Sequence, residues 1–69
     1  MSKEKPAISV NIKKYRERLG ISQDTLSKRA DVAFHTIAKI EAGSTADPRI
    51  DTVKKIADAL GVKLDDLIK

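Results

Sequence analysis

Apolar residues recur at helical spacing along this chain. Ile12, Tyr15, Arg16 and Leu19 stand at i, i+3, i+4 and i+7, with Arg16 the one charged member. Ile50, Val53, Ile56, Ala57 and Leu60 form a second stripe, and Val62, Leu64, Leu67 and Ile68 suggest a short closing helix. Gly20, Gly43 and Gly61 each follow such a stretch, where a helix ends in a left-handed residue at little steric cost. Ser9 or Asn11 is placed to cap the first helix, Ser22 the second, and Asp47-Pro48 initiates a turn before the fourth. No strand-like alternation, internal repeat or low-complexity tract interrupts this pattern. The spacing predicts an all-α fold, a compact bundle of five short helices over residues 8–69, preceded by a flexible basic arm over residues 1–7.

The stretch from Gln23 to Ile40 is more specific. It places Leu26, Ser27, Ala30, Val32, Ile37 and Ile40 where two short helices crossing steeply through a tight turn must touch, and polar side chains between them. Small residues at Ser27 and Ala30 let the backbones approach. Asp31 falls where the turn requires a left-handed residue, which Asp tolerates better than most non-glycine types. An ordinary helical hairpin would not need so many small residues beneath so polar an outer face. The pattern predicts a helix-turn-helix at about residues 22–42, a device that holds its second helix proud of the surface, where it can enter a DNA major groove.

From about Ile12 to Leu67 the chain resembles the Cro and phage-repressor type of helix-turn-helix protein, the XRE family, whose fold is lambda-repressor-like. The resemblance is carried by Leu19-Gly20-Ile21-Ser22-Gln23, Leu26, Val32, Ile37, Ile40-Glu41-Ala42-Gly43, Pro48 and Ala59-Leu60-Gly61-Val62, followed by Leu64 and Asp65. It implies a sequence-specific transcriptional regulator of double-stranded DNA, a repressor rather than an activator, that binds a pseudo-palindromic operator as a homodimer. It also implies base contacts from Phe34, His35, Ala38 and Lys39, and phosphate contacts from Gln23, Thr36, Ser44 and Arg49. Phe34 departs from the commoner polar readers: it either packs on a thymine methyl or sugar, or folds back onto the core beside Ile37. Arg16 and Glu41 stand on stripes that should be buried, so each needs a partner, and the simplest solution is that they pair. The matching residues of the family form a buried ion pair, which implies a structural role here.

Charge adds a second source of phosphate attraction. The net charge is +4, and residues 1–20 supply all of it: Lys3, Lys5, Lys13, Lys14, Arg16 and Arg18 against Glu4 and Glu17, six minus two. Lys3 and Lys5 are therefore further candidates for phosphate contact, unless the arm is only a solvated tail. The loop after Gly43 is poorly basic, and Ala33, Arg49 and Lys63 occupy cap positions that lack the usual serine, threonine or aspartate. With no cysteine and a single histidine, His35, the chain offers no cofactor, metal site or catalytic triad, and an enzyme is not expected. Its apolar runs are too short to span a membrane, consistent with a soluble cytoplasmic protein. Leu64, Leu67 and Ile68 exceed what so small a core must hold and are candidate dimer contacts. The competing reading is a protein-interaction module, an antitoxin or adaptor on the same fold, whose Phe34 face takes a regulatory protein partner.

Overall fold

A computed structural model describes residues 6–44 and 48–69 of the chain. They form α1 (Ala7–Arg18), α2 (Gln23–Ala30), α3 (Phe34–Ala42), α4 (Ile50–Leu60) and α5 (Leu64–Ile68). Among the described residues there is no strand and no helix long and apolar enough to cross a membrane. Lys3, Lys5, Thr45, Ala46 and Asp47 lie outside the described residues.

The helix ends explain how so short a chain reverses direction so often. After α1, α2 and α4 the amide of the residue immediately following a left-handed residue reaches back into the last turn. Ile21 N–H donates to the Arg16 carbonyl at 3.3 Å, Val32 N–H to Ser27 at 3.0 Å, and Val62 N–H to Ala57 at 3.0 Å. This satisfies carbonyls that the helix leaves free and turns the donor residue inward. Ile21, Val32 and Val62 accordingly pack against the core. Glycine supplies the left-handed residue after α1 and α4, but after α2 it is Asp31, at φ 56°, alone among the described non-glycine residues in having positive φ.

The helix starts are less uniform. Ser22 caps α2, its hydroxyl accepting from the Thr25 amide at 3.0 Å. Ala33, Arg49 and Lys63 provide no side-chain cap to α3, α4 and α5. At α5 the Asp66 carboxylate accepts from the Lys63 amide at 3.0 Å, but the Lys63 ammonium has no lone pair to return the bond. Supplying the missing acceptor at α3, with Ala33→Ser, should raise folding stability by about 1 kcal/mol. A shift in the urea midpoint at constant slope would register it; an unchanged midpoint would mean that these amides lack nothing. The start of α1 differs from expectation: neither Ser9 nor Asn11 caps it. The helix begins at Ala7 behind Pro6, whose fixed φ of −55° suits a helix start and whose carbonyl accepts from the Ser9 amide at 3.0 Å.

α1 packs on α3 and α5, α2 on α3 and α4, and α4 on α5. Ile12, Leu26, Ile37, Ile56 and Leu67 are fully enclosed, joined by Ile8, Ala30, Ile40, Val53, Ala57 and Leu60. Several stripe residues take other places than the periodicity suggests. Leu19 and Ile50 are exposed, because each lies at a helix end: Leu19 is the C-cap of α1 and Ile50 the first residue of α4. Leu67 corrects the dimer assignment. It is 0% exposed, absorbed by the core where α5 closes the bundle, and cannot touch a second copy. Leu64 is half-buried against the core, and Ile68 is 52% exposed. Asn11 ties down the end of α5, its amide donating to the carbonyls of Leu67 at 2.9 Å and Lys69 at 3.1 Å.

Candidate nucleic-acid interface

The second helix of the central pair, α3, has one face bolted to the bundle and the other open. Its inner residues Ile37, Ile40 and Glu41 are buried. Phe34, His35 and Lys39 are exposed, while Thr36 and Ala38 are half-buried. Because residues four apart share a helix face, the open side carries two parallel strips: Phe34 and Ala38, which are apolar, and His35 and Lys39, which are polar. Phe34 is 49% exposed, so it does not fold back into the core.

Besides the core residues Ile37 and Ile40, a polar clamp holds this helix in place. The Arg16 guanidinium makes a two-point pair with Glu41, Nε to Oε2 at 2.7 Å and Nη2 to Oε1 at 3.0 Å, and its Nη1 donates to the Ile21 carbonyl at 2.9 Å. Such forked, charge-assisted bonds fix orientation as well as distance. The two side chains are 13% and 4% exposed, so solvent screens the pair little. The hydrogen bond to Glu41 raises the Arg16 pKa despite the opposing effect of burial, with the charges of Glu41 and Glu17 adding to the rise. A raised folded value makes this contribution complete below the ordinary guanidinium pKa and lost only in strong alkali, so the clamp imposes no pH dependence through Arg16 in the neutral range.

Gln23 and Ser9 complete the clamp. The Gln23 amide donates to Glu41 Oε1 at 3.0 Å, tying the start of α2 to the same carboxylate. The Ser9 hydroxyl, itself buried, donates to the Ile40 carbonyl. Among the described residues no buried side-chain polar atom lacks a partner. Sequence reasoning missed both bonds. Ser9 carried a usable signal, since it stands three residues before Ile12 on the inward side of α1. Gln23 carried a competing one, because its place at a helix start suggested an outward role.

Beside this clamp lies an open groove of about 240 Å³, lined by Lys13, Arg16, Gln23, Ala38, Glu41 and Ala42. It brings the Ala38 strip of α3, the start of α2 and a lysine of α1 together. Lys14 instead leans over the Tyr15 ring, 5.8 Å from its centroid, with Arg18 at 5.5 Å. Ser44 and Arg49 are exposed on either side of the loop that follows α3, where Arg49 stands 3.8 Å from Asp51 in a solvent-exposed pair. That pair is too exposed to contribute much to stability. Among the described residues no cluster of His, Cys, Asp or Glu is arranged to hold a metal ion.

An all-helical core, a left-handed turn at Asp31 that sets α3 against α2, and an α3 clamped on one side and open on the other define a helix-turn-helix domain of the Cro and phage-repressor type. The chain belongs to the helix-turn-helix family, whose model matches residues 12–67. It is similar to the N-terminal DNA-binding domain of SinR from Bacillus subtilis, with 31% identity and a TM-score of 0.87 over 90% of each chain. A crystal structure of SinR, the master regulator for biofilm formation, in complex with DNA is similar at 31% identity and a TM-score of 0.86, covering 90% of this chain and 98% of that one. None of the curated protein sequences matches the chain.

Proposed function

We propose that this chain is a transcriptional repressor that binds double-stranded DNA sequence-specifically, with the first turn of α3 in the major groove. The observation that carries the proposal is the division of α3 into a clamped inner face and an open outer one. A helix rigidly presented in this way inserts without reorganising the protein. His35 and Lys39 supply polar contacts to base edges, and Phe34 and Ala38 apolar ones. This reading assigns phosphate contacts to Lys13 at the groove, the second amide hydrogen of Gln23, Thr36, Ser44 and Arg49, with Lys3 and Lys5 as further candidates. The similarity to SinR in complex with DNA supports the same reading. A homodimer on a pseudo-palindromic operator follows if Ile68 and the exposed part of Leu64 meet their copies across a two-fold axis, which sets half-sites about 34 Å apart.

Selection of bound duplexes from a random pool, followed by anisotropy titrations at several salt concentrations, tests the proposal. Paired half-sites should be enriched, and log affinity should fall with log salt by about 0.9 per phosphate neutralised. Lys13→Ala should flatten that slope by about one phosphate and weaken all sequences alike. Failure to bind mixed duplex DNA even at low salt would sink the proposal. It would favour the second reading, a protein-interaction module, for which the exposed Phe34 ring and the single lysine of α3 are the supporting observations.

A further inference from the structure

The apolar strip of α3 lies outside the hydrophobic core. Phe34 is half-exposed at the start of the helix, and Ala38, one turn on, faces the groove shared with Lys13 and Gln23. An exposed phenylalanine gives up the hydrogen bonds that a polar residue could make to a base edge. It gains only where it meets apolar surface. Along the major-groove edges of the base pairs the apolar group is the C5 methyl of thymine, which projects from the groove floor toward an inserted helix. The flanking charges restrict the orientation further. Lys13 lies on the Ala38 side of α3, so a phosphate held by Lys13 and base edges met by Lys39 on the neighbouring strip would leave the Phe34–Ala38 strip between them, beside the bases.

We infer that this domain reads methyl groups: Phe34, with Ala38 leaving room beside it, recognises the C5 methyl of one or two thymines in each half-site. The inference rests on the groove-reading role proposed above and names the chemical group that role selects. His35 and Lys39 then fix the register, and thymine is distinguished from cytosine by its methyl as well as by its O4 acceptor.

Deoxyuridine isolates the contact, because it pairs as thymine does and lacks only the methyl. A duplex selected from the random pool is resynthesised with each thymine replaced in turn by deoxyuridine, and Kd is read by anisotropy. At one or two positions per half-site the replacement should weaken binding about fourfold, the worth of one buried methyl group. In Phe34→Ala the same replacement should leave Kd unchanged, and Phe34→Leu should keep part of the dependence. Phe34 is half-exposed and outside the core, so circular dichroism melting should show these variants folded, with a small shift at most.

A duplex that binds tightly but is indifferent to deoxyuridine at every position overturns the inference and leaves the DNA-binding proposal standing. Deoxyuridine sensitivity that survives intact in Phe34→Ala overturns the assignment to Phe34. A pool that yields no bound duplex overturns both.

Discussion

Glu41→Ala should destabilise the domain by about 3–5 kcal/mol, because it strands a largely buried guanidinium without its carboxylate. In this chain Arg16 would lose both of its bonds to Glu41 and Gln23 would lose its acceptor, leaving Arg16 only the Ile21 carbonyl. A domain of 69 residues has a total stability of about 3–10 kcal/mol, so the loss takes most of what is available. Urea denaturation by circular dichroism measures it directly. Changing both partners, as Arg16→Met with Glu41→Leu, should cost much less than the single change, since no charge is left uncompensated. A double variant as unstable as Glu41→Ala would show that the ion pair itself, and not the orphaned arginine, carries the effect. The double variant separates stability from presentation as well. It would keep a folded bundle but lose the polar bonds that orient α3, so DNA affinity should fall further than the melting temperature suggests.

Leu67→Ala should cost about 2–5 kcal/mol, and Ile68→Ala, one residue on, less than about 0.5 kcal/mol. The contrast follows from position. Leu67 is wholly enclosed, so truncation opens a cavity that the short α5 cannot collapse to fill, whereas Ile68 is half in solvent. Association should respond in the reverse order. If Ile68 lies at a two-fold contact, Ile68→Ala raises the concentration at which sedimentation detects a dimer while leaving the monomer's melting unchanged. A Leu67→Ala protein with parental stability would contradict the way α5 closes the core.

The sequence was legible where a local rule has one solution. Residues after which the chain must turn left-handed, Gly20, Asp31, Gly43 and Gly61, all have positive φ, and the five helices fall between them. The small residues of α2 marked its inner face in the same way, and Ser27 and Ala30 are both buried. Periodicity failed at helix ends. A stripe records which face of a helix points inward but not where its neighbours stop, so Leu19 and Ile50 sit on the right face with nothing opposite them. It failed again at α5, where residues 64, 67 and 68 look alike as letters, yet only Leu67 faces inward fully. Side-chain bonds to distant carbonyls were beyond reach altogether. Neither Ser9 with Ile40 nor Asn11 with Leu67 leaves a local mark, because the partners come from segments 31 and 56 residues away.

The bond from Asn11 to the last turn has a topological consequence. It lays residue 69 alongside a helix whose first turn begins only four residues before Asn11, so the two ends of the described chain lie within a short span of each other. A brief glycine tether between them would leave the core undisturbed. New ends could then be opened between α3 and α4, giving a circular permutant in which α4 and α5 precede α1 while the turn at Asp31 stays covalently intact.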